Sequence, residues 1–243
     1  MGAWTGGARF YDLQVWLERW ALDAALDLAA PTADDRLLDV ATGTGALLRL
    51  LASGYPETRE VVGLDASEAM LGRARELPDS WRLMHGDARA LPFEQGQFDV
   101  VTVCYLLQTL GTETRERVLR ELSRVLKVGG RLVTVTPRMP RSGVIGLLAS
   151  PVVRLAARSS GTFGGIAPLD PRRELAEAGF EIERARDVRF GYPSLCLLAQ
   201  KKPHEHGRRR PAARDFDSYE SFRPAKGSDG HESHLEREDD RPE

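Results

Sequence analysis

Apolar residues recur at helical spacing through the first thirty positions. Leu13, Trp16, Leu17, Trp20, Leu22, Ala25 and Leu26 fall on one side of a helix over Tyr11 to Ala30, and Pro31 closes it. The period then changes. Arg36 to Val40, Val61 to Leu64, Trp81 to Met84, Phe98 to Cys104 and Arg131 to Thr136 are short apolar runs that read as strands. Helical segments are expected between them at Ala46 to Ala52, at Ser67 to Leu77 with Ser67 as N-cap, and at Glu113 to Leu126, ending in Lys127-Val128-Gly129-Gly130. Strands that are apolar throughout must be buried on both faces, so this alternation predicts βαβ units and an α/β fold with a mostly parallel sheet. A helix at Arg172 to Ala178, stopped by Gly179, precedes two final strands, Phe180 to Phe190 and Ser194 to Gln200, expected as an antiparallel hairpin at the sheet edge.

Composition sets the domain limits. The chain has 243 residues, 42% hydrophobic and 29% charged, which fits one globular domain over residues 1–202. From Pro203 large aliphatic residues almost vanish, Arg208 to Arg210 are consecutive and acidic residues crowd the end, so residues 203–243 are expected to be a disordered charged tail. Phe216, Tyr219 and Phe222 within it offer contacts to a partner. A net charge of −2 gives no general attraction to nucleic acid or anionic lipid. Met1 to Phe10 lacks the pattern of a secretory signal, and Gly143 to Ala157, broken by Pro151 and Arg154, is too short to span a bilayer. A cytoplasmic protein is expected, with room for peripheral membrane contact. Cys104 and Cys196, each in an apolar run, read as reduced core residues; a thiol nucleophile is the alternative, with no histidine near either in sequence.

The chemistry concentrates where strands end. Leu37-Leu38-Asp39-Val40-Ala41-Thr42-Gly43-Thr44-Gly45-Ala46 is a buried strand opening through glycines into a helix, a turn that exposes bare backbone to a ligand. The third glycine of a dinucleotide loop is replaced by Leu48, and no lysine follows as a phosphate-cradling P-loop would need, so the turn is not built for phosphates. The next strand ends in Asp65, which can accept two hydrogen bonds from a ribose diol, and the third in His85-Gly86-Asp87-Ala88, which sets a carboxylate and a backbone amide where adenine could be read. As isolated residues Asp87 would be a turn or cap residue and Met70 a core residue of its helix.

Taken together, LDVATGTG, VGLDASEAML, HGDARALPF, FDVVTV and RVLKVGGRLVTV, in this order and spacing, resemble class I S-adenosylmethionine-dependent methyltransferases over Tyr11 to Lys202. The likeness is strongest to the ubiquinone/menaquinone C-methyltransferases and related phospholipid N-methyltransferases. The resemblance implies a Rossmann-like, doubly wound sheet that binds S-adenosylmethionine. Gly43 and Gly45 would cradle the methionine end, with Ala41 in place of the family's first glycine, and Asp39 would help bind the ammonium group. Asp65 would bind the ribose, Asp87 and Ala88 the adenine, with Ala66 and Met70 packing beside the ring. Tyr11 would close over the donor from the first helix, and Cys104 would line its site at the end of the fourth strand.

Methyl transfer from a sulfonium is an in-line displacement, and alignment alone can supply effective molarities of about 10⁵ M or more, so a dedicated base is optional. Base-dependent relatives carry histidine after the fourth strand; here Tyr105 and Gln108 are the catalytic candidates, with a packed aromatic and a helix-cap residue as their alternatives. The Asn/Asp-Pro-Pro-Tyr signature of nucleic-acid and protein amino-methylating relatives is missing, and no acidic cluster suited to a divalent ion is evident, so neither a nucleic-acid partner nor a metal is expected. Residues 137–168 follow the fifth strand at the carboxyl edge. Their aliphatic residues, mixed with Arg138, Arg141, Arg154 and Arg158, suggest a substrate-side lid over a small, lipid-like acceptor, or a lid packing its own side chains. Two other readings stay open: a non-catalytic S-adenosylmethionine-binding regulator, and a nicotinamide dehydrogenase.

Overall fold

The computed structural model describes residues 8–58, 60–138, 168–203 and 220–222, with side chains from Leu17 to Pro203. Helix α1 (Ala8–Ala29) leads into strand β1 (Arg36–Val40), α2 (Ala46–Gly54), β2 (Glu60–Asp65), α3 (Glu68–Leu71) and β3 (Arg82–His85). Strand β4 (Phe98–Cys104) is followed by a 3-10 turn (Leu107–Thr109), α4 (Thr112–Val125), β5 (Leu126–Pro137), α5 (Arg172–Glu177), β6 (Phe180–Val188), β7 (Ser194–Lys201) and β8 (Glu220–Phe222).

The sheet runs in the order β3-β2-β1-β4-β5-β7-β6-β8. β3, β2, β1, β4 and β5 are parallel, while β7 is antiparallel to β5 and to β6, as the hairpin expectation required. The chain leaves β1 toward β2 and β3, then returns to the other side of β1 as β4. That reversal opens a crevice between the carboxyl ends of β1 and β4, the place where open α/β sheets bind ligands.

Successive strand residues face opposite sides, so each strand feeds two cores. Leu38, Val101, Leu132 and Leu197 pack with Val118, Leu119, Leu122 of α4 and Leu175 of α5. Leu37, Val100, Val133 and Leu198 pack with Ala21, Ala25, Leu28 of α1 and Leu48, Leu51 of α2. No helix of the described residues is long and apolar enough to cross a membrane.

Three expectations are corrected. The helix expected to Leu77 stops at Leu71: Gly72 ends it, Glu76 takes φ 61, and Pro78 disfavours helical geometry at Leu77. Ser67 nevertheless caps it, its hydroxyl accepting from the Met70 amide at 3.3 Å. Lys127-Val128-Gly129-Gly130 does not stop a helix but belongs to β5, where Gly129 at φ 77 accompanies a register shift against β4. Finally, β6 ends at Val188, short of Phe190, because Gly191 turns the chain onto α1. The lid expected at residues 137–168 falls outside the described residues except at its two ends, as does the tail apart from Glu220–Phe222, whose backbone pairs parallel with Arg186–Val188.

Candidate active site

The sheet register brings the carboxyl ends of the first four strands to one edge: Val40 stands beside Leu64 and Val103, and Asp65 beside His85. The loop after β1 places Ala41, Gly43 and Gly45 at φ 61, 58 and 76, three left-handed residues within five positions. The Thr42 amide donates to Leu64 O at 3.1 Å, laying this loop over the end of β2. Glycine adopts such geometry freely; Ala41 does so at a cost of roughly 1–2 kcal/mol, held by the surrounding bonds.

Asp39 lies on the sheet face shared with Leu37, 2% exposed. Burial pushes its carboxyl up to about 6, while the Thr102 hydroxyl, donating to Oδ1 at 2.7 Å, opposes the shift. Asp65 is half-buried and doubly anchored: the Gly43 amide donates to Oδ2 and the Ser67 amide to Oδ1, each at 2.8 Å. Each oxygen keeps a lone pair for a further donor. Next to it Ala66 is exposed and Met70 half-buried, belonging to neither core cluster.

Asp87 is differently placed. Its carboxylate faces solvent and is gripped by Arg89, whose Nε donates at 2.9 and 2.8 Å, whose Nη2 lies at 2.6 Å and whose amide donates at 2.8 Å. Those bonds hold the carboxyl below its usual range. Ala88 packs against the α4-side core.

At the end of β4, Cys104 is half-buried against the α1-side core, and burial raises its thiol well above the ordinary range; burial also pushes Cys196 up to about 12. Burial disfavours the charged thiolate at both positions, which weighs against the nucleophile alternative. Tyr105 adopts φ 56, its amide donating to Val135 O at 2.9 Å. Ser194 Oγ donates to Tyr192 O at 2.8 Å, so the Tyr105 phenol is the donor in its own 2.8 Å bond to Ser194 Oγ. Gln108 is buried, its Nε2 donating to Tyr105 O at 2.8 Å. Both polar groups are therefore engaged in the scaffold. The backbone of Tyr11 lies in α1, and its side chain is outside the described residues.

Sequence reasoning missed Glu18. It is 8% exposed on α1, and its charge acts on Cys104, Tyr105 and Tyr192, which puts it beside the β4 exit. The signal was available, since Glu18 precedes the buried Ala21 and Leu22 by three and four residues on the inward stripe of the helix. Thr102, which fixes Asp39, gave none, being one more residue in an apolar strand. Among the described residues no three His, Cys, Asp or Glu side chains are grouped to hold a metal ion.

A carboxylate beneath a loop of bare amides, and a second that retains acceptor capacity beside it, suit a ligand carrying an ammonium group and a diol. Residues 37–130 match a methyltransferase domain family. The demethylmenaquinone methyltransferase of Thermus thermophilus is 36% identical over 191 residues, covering 70% of this chain and 85% of that protein. The demethylmenaquinone methyltransferase of Staphylococcus aureus is 31% identical over 191 residues, covering 71% and 78%. Among solved structures, the magnesium protoporphyrin IX methyltransferase of Synechocystis with bound SAH shares the fold, with a TM-score of 0.57 over 76% of this chain and 84% of its own at 21% identity.

Proposed function

Because the chain belongs to the S-adenosylmethionine-dependent methyltransferases, we propose that it methylates a lipophilic, quinone-type acceptor, with a demethylmenaquinone as the first compound to test. The observation that carries this reading is the 36% identity to a demethylmenaquinone methyltransferase along 85% of that protein's length.

When bound, S-adenosylmethionine supplies a methyl group on a positively charged sulfur, whose departure as a neutral thioether drives the displacement. The chain's own residues bind and align. Asp65, oriented by the Gly43 and Ser67 amides, accepts the ribose hydroxyls. Gly43 and Gly45 leave room for the methionine end, and Asp39 balances its ammonium charge from below. Ala66 and Met70 border the adenine beside Ala88, while Asp87 reaches it on exchanging a bond with Arg89. Cys104 lines the floor at the β4 exit, and Tyr105 and Gln108 hold that exit in shape rather than transferring protons. The reduced, quinol form of the acceptor is the nucleophile: its ring gains the methyl as the sulfur–methyl bond breaks, and one proton leaves to water.

The test is isotope transfer from methyl-labelled S-adenosylmethionine to reduced demethylmenaquinone, with phospholipid and simple phenols as parallel acceptors. Labelled methylated quinol with equimolar S-adenosylhomocysteine is expected. Label moving only to another class, or to none, would overturn the acceptor reading.

A further inference from the structure

The turn that leaves β4 is tied down by side chains at the carbonyls of Tyr105, Leu106, Leu107 and Leu110. Gln108 Nε2 donates to Tyr105 O at 2.8 Å, Thr109 Oγ1 to Leu106 O at 2.7 Å, and Arg115 Nη1 to both Leu107 O at 3.2 Å and Leu110 O at 2.8 Å. Arg115 comes from α4 and is spent on a second element as well: its Nε and Nη2 lie 2.8 and 2.7 Å from Glu174 Oε1 on α5. Both side chains are largely buried, at 11% and 18% exposure. A cation near the amino end of a helix works against the helix dipole, so α4 itself does not favour arginine there. Nor is solvent exposure the reason. The planar fork is what the place requires, because five donors in fixed geometry reach two carbonyls and a carboxylate at once.

We infer that Arg115, clamped by Glu174, is a positioning residue for methyl transfer. It fixes the Tyr105–Leu110 turn that borders the acceptor and ties it to α5, the helix that follows residues 139–167. The inference rests on the reading that the acceptor lies at the β4 exit, beyond the donor sulfur. In a displacement governed by alignment, a misplacement of about 1 Å can cost about 100-fold in rate, so a rim held through its carbonyls matters more than one held by packing alone.

The experiment compares Arg115→Gln, Arg115→Lys and Glu174→Gln in the full chain, each assayed well below its own melting temperature. Arg115→Gln is expected to lower kcat by about 10- to 100-fold while the dissociation constant for S-adenosylhomocysteine changes less than about twofold. Arg115→Lys should recover part of the loss, since an ammonium serves a carbonyl or the carboxylate but not the whole set. Glu174→Gln should fall between. Amide hydrogen exchange at Thr109 and Leu110 supplies a readout independent of any acceptor, and it should quicken at least about tenfold in Arg115→Gln. Should the parent protein leave quinols unmethylated, the acceptor reading falls and the exchange rates decide the clamp. Should Arg115→Gln fail to fold, Arg115→Lys and Glu174→Gln carry the comparison. Unchanged exchange, or kcat within about twofold of the parent in the folded variants, would overturn the inference.

Discussion

The Gly43 amide donates to Asp65 Oδ2 at 2.8 Å, joining the turn after β1 to the acid that ends β2. Asp65 therefore shapes this loop, besides its proposed role in holding the ribose. In the proposed site, replacing it with alanine would remove two acceptors for the ribose, each charge-assisted bond contributing roughly 1.5–3 kcal/mol. The affinity for S-adenosylhomocysteine should drop by about 100-fold or more by calorimetry. The Gly43 and Ser67 amides lose their partner too, so the ligand-free protein should melt lower; an unchanged melting temperature would show that the turn holds itself.

Gly43 stands at φ 58 in the loop proposed to receive the methionine end of the donor. Valine there meets a left-handed cost of roughly 1–2 kcal/mol for its L-configuration, and its branches project from backbone that glycine leaves bare. Gly43→Val should fold, as circular dichroism reads it, yet show no binding heat with S-adenosylhomocysteine. Normal binding would move the methionine end elsewhere.

Much of this was legible because parallel strands buried on both faces are apolar throughout, and the acids and glycines interrupting that pattern at their ends stand out. The β1–α2 turn, Asp65 and the β6–β7 hairpin are read directly from such breaks. Pairings between residues far apart in sequence were not legible. Nothing local links Tyr105 to Ser194, Arg115 to Glu174, or Asp39 to Thr102. Local rules also misled where tertiary context overrode them, as in the helix that Gly72 ends early and the Gly129–Gly130 pair that β5 absorbs.

Tyr105, a catalytic candidate on the sequence, is bonded into the scaffold, and substitution distinguishes the two roles. Its phenol donates to Ser194 Oγ, and its ring lies 5.7 Å from that of Tyr192. Tyr105→Phe keeps the ring and loses one buried bond, so a stability loss of about 1 kcal/mol is expected with turnover within about threefold of the parent. A fall in kcat beyond about 100-fold at unchanged melting temperature would restore the catalytic reading.

Asp39 should make both stability and, in the proposed site, donor binding depend on pH. Its carboxyl is pushed up to about 6 by burial, the folded chain thus holding this proton more tightly than the unfolded one. The sign follows: its contribution to stability is complete below about pH 4 and is lost as pH rises to about 6, with an upper bound near 3 kcal/mol for a shift of about two units. Thr102, donating to Oδ1, limits the loss, and nearby Asp65 adds to it. An ammonium group bound above the ionised carboxylate reverses the preference. S-adenosylhomocysteine should therefore bind more tightly as pH rises from about 5 to about 6.5 and then level off, releasing a proton on binding at the lower values. Calorimetry in buffers of different ionisation heat measures that proton directly. Asp39→Asn should flatten both profiles, keeping its bond to Thr102 while losing the charge. If the Asn variant retained the proton release, the titrating group would be another acid at this edge, with Glu18 the next to replace.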